Sequence, residues 1–348
     1  IMKLNGYIEG YFGKLLSWNE REEILQQIVD QKLNTYFYCP KEDPYHRLNW
    51  KEPYPESIKK GLGQFSKSCR ANEVKFLFGI SPGIDFKNSY DELFRKISES
   101  RQLEILDVVI LFDDLFEEQN GEKHAEILNR CSDKFKDINF YCVPSEYCEQ
   151  LAKPNLLESI YLKELSKNLD KKIPIFWTGS KVVSSSYTEE SIESWKSALN
   201  HKLIVWDNFY ANDYCLPKVV IEAFDADDQS KLESLEGIMI NGTGLLNVDK
   251  FCLEALANKI FHRQEEVHSL FENAGLPEQF EKVSNLFKLD ASFTGSAEEI
   301  SAVEFLLWKW TGPIKQEIYP YLHILRKFLK KEDSSGLLES RFNLKKID

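Results

Sequence analysis

Eight short runs of apolar, β-branched and aromatic residues recur along this chain, and they restrict its fold more than any other feature. They are Gly6–Gly10, Asn34–Cys39, Lys75–Ile80, Val108–Phe112, Asn139–Val143, Ile173–Trp177, Leu203–Trp206 and Gly237–Ile240. Their spacing is roughly thirty to forty residues, the length of one strand–helix unit. The runs are nearly continuous rather than alternating, the pattern of strands covered on both faces in a parallel sheet. Stretches of helical period lie between them. The expected class is α/β. Eight units close a (β/α)8 TIM-type barrel, although a doubly wound open sheet shares the pattern.

The segments between the runs carry helix punctuation. Ser17 with Glu20 and Ser89 with Glu92 read as capping boxes, hydroxyl to backbone amide and carboxylate back to the cap. From Asn247 onward, Val248, Phe251, Cys252, Ala255 and Leu256 fall on one helical stripe. Asp225 to Gln229 reads as a loop. After about residue 262 the strand signal stops, so the expected division is a barrel over 1–262 and a small helical region over 263–348. That region has a capping box at Ser296 and Glu299 and a stripe of Ile318, Tyr321, Leu322, Leu325, Phe328 and Leu329, with Pro313 breaking the helix before it. The last dozen residues are polar and are expected to fray.

Composition narrows the function classes. A chain of 348 residues buries a core without disulfides or metals to staple it. Its 44 Lys and Arg against 56 Asp and Glu leave a net charge of −12, against the concentrated basic face of a nucleic-acid binder. The densest basic pairs, Lys171-Lys172 and Lys330-Lys331, read as solvated helix ends. The longest apolar run, Val108 to Phe112, is far below the ~18 residues a membrane helix needs. A signal-peptide pattern is missing at the N-terminus, so the expectation is a cytoplasmic protein. Seven cysteines show no Cys-x-x-Cys pair and six histidines lie far apart, which gives no zinc-type ligand set.

In a barrel of this kind the active site forms where strands end and the following loops begin. The run ends supply Glu9, Gly10, Tyr11, Lys41, Asp85, Asp113, Asp114, Glu146, Tyr147, Trp177, Thr178, Trp206, Asp207, Asn208, Asp213 and Asn241. Hydrogen-bonding groups with aromatic rings, and no His–Cys or Ser–His pairing, suit a sugar. Asp113-Asp114 is the sharpest feature: mutual repulsion of two carboxylates raises one pKa, and a carboxyl that keeps its proton is a general acid. The same dipeptide serves equally as a helix cap or a metal ligand pair. Ordinary glycosidases hold carboxylates ~5–5.5 Å or ~6.5–9.5 Å apart across the scissile bond. Sequence neighbours at one strand end fit better where the substrate supplies its own nucleophile. Trp206-Asp207-Asn208 and Asn212-Asp213-Tyr214 form a second cluster, readable as core and turn or as a hydroxyl-binding corner.

Together these stretches resemble glycoside hydrolase family 84, the β-N-acetylglucosaminidases that include protein O-GlcNAcases. The matching segments are Gly6–Gly13, Asn34–Lys41, Leu111–Asp114, Pro144–Tyr147, Trp177–Gly179 and Trp206–Tyr214, in family order over roughly residues 5 to 262. The resemblance implies a (β/α)8 catalytic barrel and a retaining exo-β-N-acetylglucosaminidase that works by substrate assistance through an oxazoline, with removal of O-GlcNAc from Ser or Thr of proteins within its reach. Asp113 would orient the acetamido group, Asp114 would serve as acid and then base, and Tyr147 would donate to the reacting centre. Gly10, Lys41, Asn208, Asp213 and Asn241 match positions that hold the sugar, and Trp206 the aromatic wall of the acetamido pocket. The implied partner is an N-acetylglucosaminyl glycoconjugate, glycoprotein or oligosaccharide, with no nucleic acid, membrane, metal or organic cofactor, in a monomer or homodimer.

Three departures from the family pattern bear on the aglycone side: Leu15-Leu16 in place of a Pro-Trp pair, the order Tyr11-Phe12, and Leu151 where an aromatic often stands. The competing readings are a catalytically idle glycan- or glycopeptide-binding protein and a hyaluronidase-like glycosaminoglycan hydrolase.

Overall fold

A computed structural model describes residues 3–83, 85–114, 120–184, 186–224, 234–263, 266–289 and 295–330. The Asp225–Gln229 loop, Lys331 and the polar tail lie outside these residues.

The eight runs form eight parallel strands: β1 Leu4–Glu9, β2 Thr35–Tyr38, β3 Lys75–Ile80, β4 Asp107–Leu111, β5 Asn139–Val143, β6 Ile175–Trp177, β7 Leu203–Asp207 and β8 Gly237–Asn241. They pair in sequence order and close, β8 returning to β1 with Leu4 opposite Gly237 and Ile8 opposite Asn241. The closed barrel decides against an open sheet. Helices α1 Trp18–Asp30, α2 Glu56–Ala71, α3 Tyr90–Gln102, α4 Gly121–Lys134, α5 Ile160–Asn168 and α6 Glu189–Leu199 follow the first six strands.

Alternation along each strand sorts the side chains. One parity fills the barrel interior with Leu4, Ile8, Phe37, Cys39, Leu77, Val109, Leu111, Tyr141, Val143, Phe176, Ile204, Trp206 and Met239. The other parity faces the helices: Tyr36 meets Phe65 of α2 edge-on, centroids 4.8 Å apart. Glu9, of that second parity, is fully buried against Arg21 of α1 in a two-pronged ion pair of 2.9 and 2.8 Å, and also accepts from the Tyr36 hydroxyl at 2.7 Å. Arg21 stacks between the Trp18 and Tyr38 rings at 4.5 and 5.0 Å. Such a forked, hydrogen-bonded pair ties the end of β1 to α1.

The expected boxes at Ser17–Glu20 and Ser296–Glu299 are both made. The one at Ser89–Glu92 is not: Ser89 precedes α3 with φ −70° and ψ 54°, and its side chain caps nothing. An N-cap hydroxyl reaches the N3 amide from an extended residue. Here the turn uses backbone instead, Ser89 N–H donating to Phe86 O at 2.6 Å.

Two compact units make up the chain, Ile1–Phe209 with Asp225–Gly244 and Tyr210–Phe224 with Leu245–Asp348. In the second, α7 Leu246–Ile260, α8 Val267–Asn273, α9 Glu278–Glu281, a 3-10 turn Ser284–Lys288, α10 Ala297–Trp308 and α11 Pro313–Leu329 follow one another. Val248, Phe251, Cys252, Ala255 and Leu256 are buried as the stripe requires. In the α11 stripe Ile318, Leu322, Leu325 and Leu329 are buried, while Tyr321 and Phe328 are half-buried. Leu245 cannot cap α7, and the Glu317 carboxylate of α11 does so instead, accepting from the amides of Asn247 at 3.0 Å and Val248 at 3.1 Å. Pro313 starts α11 at its first turn, where its missing N–H is harmless.

Candidate active site

Continuing the interior parity two residues past each strand leads from core to site. Ile8 is followed by Gly10, Cys39 by Lys41, Leu111 by Asp113, Trp206 by Asn208 and Met239 by Asn241, and Val143 leads through Ser145 to Tyr147. These positions rim one end of the barrel, beyond the carboxyl ends of the strands. The other parity thins the inventory. Glu9 belongs to Arg21, Glu146 accepts from Ser159 at the start of α5, and Asp207 accepts from Tyr187 at 2.5 Å. Trp177 lies among Trp195 and Tyr187, at 5.4 and 5.9 Å between centroids. Asp85 is taken by Trp50 and Lys51, at 2.9 and 2.7 Å.

Two groups of expected residues come together. In the first, buried Lys41 is hydrogen-bonded to Asp113 Oδ2 and stands 3.5 Å from Asp114 Oδ2, and the Tyr147 hydroxyl donates to Asp114 Oδ1 at 3.5 Å. Asp114 is of the wrong parity to face the mouth. Its φ of +52° is a left-handed conformation that Asp tolerates better than most residues. The second group is a hydrogen-bonded chain linking Gly10, Asn241, Asn208 and Trp206. Gly10 N–H donates to Asn241 Oδ1 at 3.1 Å, Asn241 Nδ2 donates to Asn208 Oδ1 at 3.0 Å, and the Trp206 indole donates to that same oxygen at 3.0 Å. A Cβ on Gly10 would stand 2.4 Å from the Trp206 ring, so the close approach requires glycine. These polar groups hold one another in place before any ligand arrives. Asp213, alone among the expected site residues, belongs to the second unit, half-buried beside Asn212, whose amide donates to the Lys218 carbonyl and the Tyr321 hydroxyl at 3.2 Å.

The two carboxylates are electrically different. Burial alone would raise Asp113, but the adjacent Lys41 charge and its hydrogen bond overcome that and hold Asp113 below the ordinary range. Asp114 moves the other way: burial and then the negative charge of Asp113 raise it, against the opposing pull of Lys41 and Arg47. Burial lowers the Lys41 ammonium, and the two aspartates outweigh it, so the lysine stays charged. Burial, Asp114 and Asp113 push the Tyr147 hydroxyl up, which keeps it a donor. The arrangement can therefore present one carboxylate and one carboxylic acid side by side. Among the described residues Asp113 Oδ1 is buried with no hydrogen-bond partner, a free acceptor facing a cost until some donor meets it.

Reading the run ends passes over two residues here. His46, in the segment after Lys41, is buried with Nδ1 3.1 Å from the Gly79 carbonyl, and burial lowers it to about 4. Arg47 stacks on the Phe12 ring at 5.4 Å and acts on Asp114. Neither sits at a strand end, and only the course of the Lys41–Trp50 segment brings them back to the mouth.

Comparison with known proteins gives the family and the fold. Protein O-GlcNAcase of Mus musculus and that of Rattus norvegicus are each 30% identical over 253 residues, 68% of this chain and 28% of theirs. The chain thus spans little more than a quarter of these curated relatives. The solved structure of a mutant O-GlcNAc hydrolase from Thermobaculum terrenum matches with a TM-score of 0.84 at 22% identity, covering 99% of this chain and 86% of that one, a likeness of fold. The family model described as beta-N-acetylglucosaminidase matches residues 5–277. With most of its length so matched, the chain belongs to the β-N-acetylglucosaminidase family.

Proposed function

We propose that this chain is a retaining exo-β-N-acetylglucosaminidase in which the substrate's acetamido group is the nucleophile, and that it removes O-GlcNAc from Ser or Thr of proteins. The names carried by its relatives support the substrate. The observation that carries the mechanism is the asymmetry of the aspartate pair, one held ionised with a free buried acceptor oxygen and the other raised.

Asp113 Oδ1 accepts the acetamido N–H, which orients the carbonyl oxygen and supports positive charge as that oxygen attacks the anomeric carbon. The glycosidic bond breaks as Asp114 gives its proton to the departing oxygen, leaving an oxazolinium whose N–H proton stays hydrogen-bonded to Asp113 and returns to the acetamide when the ring opens. Asp114, now a carboxylate, takes a proton from water as the water opens the oxazolinium from the face the aglycone left. Configuration is retained over two inversions. Tyr147 donates to the reacting centre, Gly10, Lys41, Asn208, Asn241 and Asp213 hold the sugar, and Trp206 walls the acetamido pocket. The reaction so written uses no metal or organic cofactor. We count the catalytic barrel as residues 1–262, with 263–348 as the helical region. Seven free cysteines, six of them buried, suit a reducing compartment and a cytoplasmic location.

The test is turnover of aryl glycosides with and without the N-acetyl group. The N-acetylglucosaminide should be cleaved with retention and the plain glucoside left. Asp113→Ala should slow every aryl N-acetylglucosaminide by roughly 10²–10⁴-fold, whereas Asp114→Ala should do so only for poor leaving groups. Equal turnover of the two sugar types would sink substrate assistance.

A further inference from the structure

The rim beside Asp114 carries a cation that the hydrolytic steps do not use. The Arg47 guanidinium lies over the Phe12 ring at 5.4 Å, and Lys41 Nζ approaches the same ring at 5.9 Å. Phe12 is thus bracketed between the lysine that binds both aspartates and an arginine further out. The ring is 43% exposed. Among the described residues Arg47 makes no ion pair. Its place on the mouth follows from the aspartates. The Asp113 side chain is 8% exposed and that of Asp114 36%, so Asp114 is the outer one. Arg47 acts on Asp114. A general acid faces the oxygen that leaves, so the groups beyond Asp114 face the aglycone. Close in sequence to Phe12 and Arg47, Leu15 and Leu48 are exposed, the latter by 63%. Apolar side chains offer nothing to sugar hydroxyls but can meet peptide side chains.

We propose that Arg47, held over Phe12, is a specificity-determining residue that selects peptide aglycones bearing a carboxylate or phosphate close to the glycosylated Ser or Thr. A guanidinium that no carboxylate among the described residues pairs with is poised for a forked contact with such an anion. Its cation–π contact with Phe12 restrains the side chain, so less freedom is lost on binding. The molecule as a whole is acidic, with a charge of −12, so an anionic aglycone depends on such a local cation. The inference rests on the reading of Asp114 as the acid on the leaving-group side.

Three O-GlcNAc peptides of one sequence, with Glu, Gln or Lys flanking the modified Ser, separate the outcomes, alongside an aryl N-acetylglucosaminide and a disaccharide of N-acetylglucosamine on glucuronic acid. The acidic peptide should exceed the basic one in kcat/KM by about tenfold. Arg47→Gln should bring that ratio near one, Arg47→Glu should reverse it, Arg47→Lys should keep part of it, and Phe12→Leu should weaken it. The same ratios, read as Kd on the Asp114→Asn protein, need no turnover. A ratio near one in the unmodified enzyme, or one that survives Arg47→Gln, overturns the inference while aryl turnover leaves the proposed function standing. Faster, Arg47-dependent cleavage of the acidic disaccharide overturns the peptide assignment. Failure of all aryl turnover removes the proposed function, and the Kd ratios then decide the role of Arg47 alone.

Discussion

Asp207 shows how a single position can be tied to a site without entering it. It lies between Trp206 and Asn208 in sequence, yet its parity turns it to the helix side, where it is buried with Tyr187 and the Phe209 amide as donors, at 2.5 and 2.8 Å. Burial lifts it from 3.8 to about 6, the two donors opposing. A carboxyl raised in the folded state keeps a proton that the unfolded chain has lost. Its contribution is therefore most favourable below about pH 4, falls as pH rises to about 6, and is a constant penalty above that. At ~1.4 kcal/mol per pH unit, 3.8 against about 6 amounts to about 3 kcal/mol. The stability of Asp207→Asn relative to the unaltered protein should therefore rise between pH 4 and pH 7 by an amount of that order, read from urea midpoints. A difference that stays flat over that range would show Asp207 titrating as an ordinary carboxylate. At this scale Asp113-Asp114 was legible from the sequence as a pair placed where strand becomes loop. Their division into low and raised members was not, because it depends on Lys41, which is 72 residues away in the chain.

Elements meet through a few contacts of unequal weight, and α1 illustrates the range. Its outer end carries the Lys14–Glu20 pair, with Lys14 largely in solvent, and its inner face carries the Glu9–Arg21 pair, nearly inaccessible on both sides. Exposed pairs contribute ~0–1 kcal/mol, while removing one partner of a buried pair costs about 3–5 kcal/mol because a bare charge remains inside. Arg21→Met should thus lower the unfolding midpoint far more than Lys14→Ala in the same urea titration. Comparable small losses would mean that Glu9 finds water or another donor. Most elements could be read from strand runs and capping boxes because those signals are local. The exceptions are informative. Ser89 has the capping sequence without the extended backbone that capping needs. The α7 N-terminus has no capping sequence and takes its acceptor from Glu317, 70 residues on, a contact no local pattern announces. The parity rule that sorts Glu9, Glu146 and Asp207 away from the mouth becomes usable only once each strand's register is known.

Summed over the molecule, buried histidines set how acid acts on the fold. Burial lowers His46 to about 4, His124 to about 3 and His201 to about 4, from 6.5. His201 keeps Nδ1 on the Ile173 carbonyl at 3.0 Å, and His124 lies flat on Phe112, 3.8 Å between centroids, with Tyr161 at 3.0 Å. The sign is opposite to that of Asp207. A histidine depressed in the folded state binds its proton more readily when unfolded, so stability is present above pH 6.5 and is lost as pH falls toward about 4. Unfolding near pH 5 should take up close to three protons through these rings and release about one from Asp207, at ~1.4 kcal/mol per pH unit for each net proton. Destabilisation should therefore begin near pH 6.5, above the range where ordinary carboxylates titrate. The double variant His124→Gln/His201→Gln should be weaker at pH 7 but lose less on acidification, with the fitted proton uptake on unfolding falling by about two. Urea midpoints for both proteins at half-unit steps from pH 7 to pH 5 measure this directly. If the two proteins lose stability in parallel, the acid response belongs to carboxylates and the buried rings are silent.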